Sequence, residues 1–173
     1  MSTYFVTATG TDLGKTYVLC RILALLRSRG AAVHALKPVL SGFDSSDPAS
    51  TDSGRLLLAQ GLPANEATIS AITPWRFLPP LSPDMAAARA GVTVSLEEVE
   101  RFCRKAEARH DRLFVEGAGG VMSPLGSDFL NIDLMDRLKA KAILVSGGYL
   151  GAISHTLTAL AALKGRDVPV AAI

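Results

Sequence analysis

Short, largely apolar runs, clustered rather than alternating with polar residues, interleave along this chain with amphipathic helical patterns, and that succession limits the folds open to it. The runs cover residues 4–8, 32–36, 112–116, 140–145 and 169–173, and the helical patterns cover 15–28, 51–60, 96–109, 130–139 and 153–164. A strand that is apolar at every position belongs in a sheet covered on both faces, and such sheets are parallel. Strand–helix alternation therefore predicts an α/β, doubly wound, mostly parallel sheet flanked by helices. Ser95 and Glu98 have the spacing of a capping box before the helix from Leu96; Gly30 closes the first helix, and Gly61 with Pro63 closes the second. Residues 41–50, rich in Ser, Asp and Pro, read as a loop. A length of 173 residues, without repeat or linker, suits a single domain over 1–173.

The net charge of +2 is too small to argue for nucleic acid or a membrane surface as partner. Cys20 and Cys103 lack metal-like spacing and read as reduced thiols, with Cys20 in a core-facing helical pattern. The N-terminus runs directly into a strand and the apolar stretch at 140–145 is too short to span a bilayer, so a cytoplasmic protein is expected.

Within this frame the stretch from Tyr4 to Thr16, YFVTATGTDLGKT, carries the clearest chemistry. An apolar strand leads into a Gly- and Thr-rich turn, and Lys15 and Thr16 open a helix. Backbone N–H groups at a helix start, a lysine charge and a hydroxyl able to reach Mg²⁺ together make a phosphate cradle. The strict P-loop pattern, G-x-x-x-x-G-K-S/T, needs Gly at position 9; here Thr9 stands there and Gly10 follows.

In a sheet of this kind ligands bind beyond the carboxyl ends of the strands, so the residues there are the candidates. Lys37 follows the second apolar run and would bring a second cation toward the phosphate; the plain alternative is a solvated lysine. Ser41 and Gly42 suit a polar wall of the same crevice. Asp52 opens a helical pattern, where capping and the helix dipole explain an Asp without any ligand. Glu116 ends the third run before Gly117, Ala118, Gly119 and Gly120; as an unpaired charge at the sheet edge it needs a partner, and Mg²⁺ shared with Thr16 would be one. The small residues from Ser146 to Ser154 lead into another helix start, a seat for a carboxylate or phosphate. His155 receives no role, and no His–Ser spacing suggests a nucleophilic triad.

Taken together these residues resemble the dethiobiotin synthetases over essentially the whole chain. The resemblance rests on F-V-T-x-T-x-T-x-x-G-K-T from Phe5 to Thr16, K-P-V-x-S-G from Lys37 to Gly42, the Asp52 region, and Ser82-Pro83. It continues through V-E-G-A-G-G from Val115 to Gly120, Pro124-Leu125, and L-G-x-I-x-H from Leu150 to His155. It implies a P-loop NTPase-like fold and an ATP-dependent ligase that carboxylates 7,8-diaminononanoate with CO₂ or bicarbonate. A carbamate and a carbamic–phosphoric anhydride would lead to the ureido ring. By the same resemblance Lys37, Thr11 and Lys15 are catalytic, and Thr16, Asp52 and Glu116 hold Mg²⁺. The resemblance implies that ATP is contacted by Asp12, Leu13, Gly14, Lys15, Thr16, Tyr17, Asp52, Glu116, Gly117, Ala118 and Gly119. The diamine is contacted by Thr11, Lys37, Ser41 and Ser82, and its carboxylate by Leu150, Gly151, Ala152, Ile153 and Ser154 across a homodimer interface.

The chain departs from the family pattern in places. Ala8 and Gly10 replace a frequent Gly and Asp, Asp12 stands where Glu or Gly is common, Tyr149 replaces Lys in some members, Ser154 replaces Asn, and Asp84 replaces a frequent His. Ile173 falls just before the Asn-containing loop that reads the base, so the expected domain lacks the family's usual C-terminal end. The competing expectations are a partitioning or regulatory P-loop ATPase and an inactive nucleotide-binding homologue. The first has only Ala8 or Thr9 where its signature lysine belongs. Lys37→Ala is expected to abolish ring closure and leave the fold intact.

Overall fold

The structure is a computed structural model and describes residues 2–173. Its strands are β1 (Ser2–Ala8), β2 (His34–Leu36), β3 (Val39–Ser41), β4 (Trp75–Phe77), β5 (Arg112–Glu116), β6 (Lys141–Val145) and β7 (Val170–Ala172). The helices are α1 (Lys15–Ser28), α2 (Asp52–Ala59), α3 (Glu66–Ile72), α4 (Pro83–Arg89), α5 (Leu96–Glu107), α6 (Asn131–Leu138) and α7 (Ala152–Gly165). The expected α/β architecture is present. A five-stranded sheet runs β2-β5-β1-β6-β7, with every ladder parallel.

Phe5, Val6 and Ala8 of β1 and Leu113 to Val115 of β5 are buried, which is why these segments read as continuous apolar runs. Leu19 and Leu23 of α1 and Ile132, Leu134 and Met135 of α6 complete the same core. Cys103 is buried there, whereas Cys20, expected in the core, is only partly covered because it lies between the buried positions Leu19 and Leu23 of α1. At the β2 edge the buried Gln60 side chain covers the open backbone: Ala35 N–H donates to its Oε1 at 2.8 Å, and its Nε2 donates to Ala35 O at 3.3 Å.

Residues 36–95 differ most from expectation. Ser41 closes β3 instead of opening a loop, and β3 pairs with β4 in a small parallel sheet. α3 and α4 occupy sequence assigned to no element, and Pro48–Ser50 forms a turn of 3-10 helix. Ser95 caps α5 by accepting the Glu98 N–H at 3.3 Å, but its hydroxyl donates to the Glu98 carboxylate at 2.9 Å, so only half of the expected box forms.

The register aligns Val6 with Glu116 and Ala8 with Val145, bringing the carboxyl ends of β1, β5 and β6 level. The phosphate-cradle loop is fastened to both neighbours: Thr9 N–H donates to Val145 O at 3.0 Å, and Val121 N–H donates to Ala8 O at 3.1 Å.

Candidate active site

The loop after β1 turns through two left-handed residues, Asp12 at φ 58° and Gly14 at φ 87°. Position 9 is not among them, so Thr9 is accommodated where the strict motif has glycine. Gly14 stands at the N-cap of α1 and offers no side chain to the first turn, which also contains no acidic residue. The N–H groups and positive dipole end of a 14-residue helix are left open to an anion. Lys15 is buried, and among the described residues its Nζ donates only to Gly10 O, at 3.4 Å. Burial, and then the charge of Lys37, lower its pKa from the usual lysine value.

Lys37 sits where β2 ends and the chain crosses to the small sheet. Its N–H donates to Ile72 O at 3.1 Å, and Pro38 O accepts from Trp75 N–H at 3.2 Å. The residue is 2% exposed, so it is not the solvated lysine of the plain alternative. Nζ donates to Glu116 Oε1 at 2.6 Å and lies 3.0 Å from Asp52 Oδ2. Burial alone would lower its pKa, but Glu116 and Asp52 outweigh it and hold the ammonium up to about 12.

Glu116 is corrected in one respect. Its strand lies inside the sheet, and Lys37 supplies the partner that the sequence reading sought in a metal. Oε1 also accepts from Thr16 Oγ1 at 2.7 Å, while Oε2 is buried and has no partner among the described residues. Asp52 does not cap its helix. Thr51 does, accepting Gly54 N–H at 3.2 Å, which frees the Asp52 carboxylate for Lys37. Burial works against that carboxylate's charge, yet Lys37 and hydrogen bonding hold it below the usual range.

Lys15, Thr16, Lys37 and Asp52 line one cavity of about 790 Å³, whereas Glu116 is buried beneath Lys37 and Thr16 and is not part of the lining. Thr11, Asp12, Gly14, Lys15, Thr16 and Tyr17 come from the loop and α1; Lys37, Ser41 and Asp52 from the strand ends and α2; Ser82, Ala118 and Gly119 from the far wall. Leu13 and Gly117 are not among these lining residues; Leu13 lies near Gly147, and Gly117 against Asn131 and Phe5. Leu150, Gly151, Ala152, Ile153 and Ser154 are not brought to the cavity by this chain alone.

With this geometry established, comparison with known proteins decides the family. Residues 2–173 match the AAA domain family. An ATP-dependent dethiobiotin synthetase of Caulobacter sp. (strain K31) is 49% identical, over all of this chain and 75% of that protein. One from Methylobacterium nodulans is 45% identical, over all of this chain and 80% of that protein. The chain belongs to the dethiobiotin synthetase family.

Among solved structures, the kinase domain of the Escherichia coli tyrosine kinase ETK is similar with a TM-score of 0.59, covering 99% of this chain and 66% of that one at 14% identity. A ParA family ATPase from Chlorobium tepidum has a TM-score of 0.52, covering 98% and 70% at 14% identity. At that identity these likenesses establish a P-loop NTPase fold and no more.

Beside the residues that the family pattern supplied, the cavity contains Arg55, Leu81 and Ser123, which sequence reading passed over. An arginine one turn into α2 looks solvated, and only the tertiary arrangement turns it toward the site. Asn131 was missed as well. It is fully buried at the start of α6 and its Nδ2 donates to Ala118 O at 2.6 Å and Gly120 O at 2.9 Å, holding the loop after Glu116. An Asn opening an apolar helix was its one signal. Among the described residues no helix is long and apolar enough to cross a membrane.

Proposed function

We propose that this chain is an ATP-dependent ligase that closes the ureido ring of dethiobiotin on 7,8-diaminononanoate; its relatives are named ATP-dependent dethiobiotin synthetases. The observation that carries the reading is the single cavity in which the P-loop Lys15 and Thr16 face Lys37, itself seated between Glu116 and Asp52. A partitioning or regulatory switch carries its further lysine early in the phosphate loop, where this chain has Ala8 or Thr9. A second buried cation beside the cradle suits a reaction in which an acceptor anion meets the γ-phosphoryl group.

In this reading one substrate amine takes up CO₂ to give a carbamate and a proton. A carbamate oxygen attacks the γ-phosphorus and ADP leaves. The second amine then attacks the carbamoyl carbon, which expels phosphate, loses a proton and closes the ring. Lys37 holds the carbamate oxygens and, with Lys15 and Thr11, neutralises charge on the transferring phosphoryl group. ATP would lie along Asp12, Gly14, Lys15, Thr16, Tyr17, Ala118 and Gly119, and Ser41 and Ser82 would bind the diamine, all of them lining the cavity.

Mg²⁺ fits this site. Thr16, Asp52 and Glu116 offer hard oxygen donors, and the unpartnered Glu116 Oε2 supports a ligand there beyond Lys37. Two carboxylates and a hydroxyl leave room for water and phosphate oxygens, as Mg²⁺ prefers. When bound, the ion would neutralise phosphate charge.

The homodimer belongs to the same proposal. Leu150, Ile153 and Leu157 are respectively 103%, 79% and 61% exposed, an apolar stripe at the start of α7 that a second copy would cover. That contact would carry residues 150–154 and the substrate carboxylate to the partner's cavity.

The test is phosphate release from ATP by the purified chain. Release that requires both diaminononanoate and bicarbonate supports the ligase. Release without the diamine favours a nucleotide switch, and none favours an inactive binding protein.

A further inference from the structure

Ser82 holds the N-cap position of α4, yet its side chain makes no capping bond. Its Oγ instead donates to Oδ1 of Asp84, in the first turn of the helix. A serine hydroxyl has one proton, and once this is given to a carboxylate only its lone pairs remain. Ser82 lines the cavity and Asp84 does not. What the cavity meets is therefore a hydroxyl oxygen fixed as an acceptor. Behind it stands an acid that pairs with no cation among the described residues.

We infer that Asp84 is a specificity-determining positioning residue that admits the amine end of the substrate and rejects the carboxylate end. The inference rests on the placement of the diamine beside Ser82. An amine or ammonium N–H can donate to the Ser82 oxygen and is favoured by the nearby negative charge. A carboxylate finds no proton there and is repelled. Because the substrate carries nitrogen at one end and a carboxylate at the other, this pair sets its direction in the cavity. Asp84 acts through Ser82 without touching the substrate.

The experiment is calorimetric binding of diaminononanoate, and separately of ATP, to the wild type and to Asp84→Asn, Asp84→Ala, Ser82→Ala and Ser82→Ala/Asp84→Ala, each checked for wild-type thermal unfolding. A hydrogen bond supported by charge is worth about tenfold or more in affinity. Asp84→Ala is expected to weaken diamine binding by about tenfold and leave ATP binding within about twofold. Asp84→Asn, which keeps the shape and loses the charge, is expected to weaken it severalfold and keeps the test valid should Asp84→Ala fold poorly. Adding Asp84→Ala to Ser82→Ala is expected to cost less than about twofold more, since the residue acts through Ser82. Unchanged diamine affinity in either Asp84 variant, equal weakening toward ATP and diamine, or full additivity with Ser82→Ala would overturn the inference. A wild type that turns over the diamine while Asp84→Ala binds it normally overturns this inference alone. A wild type that neither binds nor turns it over removes the proposed function beneath it.

Discussion

Lys37 Nζ stands 2.6 Å from Glu116 Oε1, and the two side chains are 3% and 0% exposed. Removing one member of a buried pair strands the other charge, at a cost of about 3–5 kcal/mol. The expectation that Lys37→Ala leaves the fold intact therefore changes: the variant should lose turnover and unfold at markedly lower denaturant. Adding Glu116→Gln, which removes the stranded charge, should restore much of the stability and none of the activity. Urea midpoints of the single and double variants check this, and a single variant as stable as wild type would refute the pair's structural role.

Arg55 lines the cavity and makes no ion pair among the described residues, whereas Lys37 is held by Glu116 and Asp52. Lys15 and Arg55 are thus the cations open to an incoming polyphosphate. Arg55→Ala should raise the KM for ATP several-fold at low ionic strength. The difference should shrink at about 0.5 M salt, where screening shortens the reach of an exposed charge. A KM for ATP that does not move at low salt would remove Arg55 from nucleotide binding.

Gly54 follows Asp52 by two positions, and a Cβ there would lie 2.1 Å from Pro48 O and 2.7 Å from Ala49 Cα. Those are backbone atoms, so Gly54→Ala must push the Pro48–Ser50 turn away from α2. A loss of about 1–3 kcal/mol is expected, together with weaker Mg²⁺ activation because Asp52 moves with the helix start. Thermal unfolding and an Mg²⁺ titration read the two effects; a variant with wild-type values in both would contradict the close approach.

His34 stacks on His110 with ring centres 4.1 Å apart. Burial, and then the neighbouring imidazole, lower its pKa from 6.5 to about 4. Between these values the unfolded chain binds a proton that the folded chain refuses. Stability from this group is therefore complete above pH 6.5 and is lost as pH falls toward 4. The loss is on the order of 1–3 kcal/mol, and His34→Phe should flatten that part of the curve. Equal pH slopes for variant and wild type would show that His34 does not titrate in this way.

The main sheet was legible because its inner strands are buried on both faces, as at Phe5, Val6, Leu113 and Val115, and so read as largely apolar runs, whereas the edge strand β7 is exposed at all three residues. The small sheet was not: β3 and β4 have three residues each, too few to show a period, and Arg76 interrupts the second. α3 and α4 have seven residues each and were betrayed only by their first turns, the Asn65–Thr68 capping box and Pro83 directly after Ser82. The cradle was readable because its residues adjoin in sequence. That Asp52 and Glu116 share Lys37 was not, since the three lie on α2, β5 and the β2 end and meet only through the fold.

The proposed reaction turns on attack of a carbamate oxygen on the γ-phosphorus beside Lys37. It is tested most directly by turnover with ¹⁸O-labelled bicarbonate in unlabelled water, quenched before label exchanges with solvent, and mass analysis of the phosphate released. One bicarbonate-derived oxygen is expected in each phosphate, formed only when diaminononanoate is present. Phosphate whose fourth oxygen comes from water would contradict it, placing hydrolysis where carbamate phosphorylation is proposed.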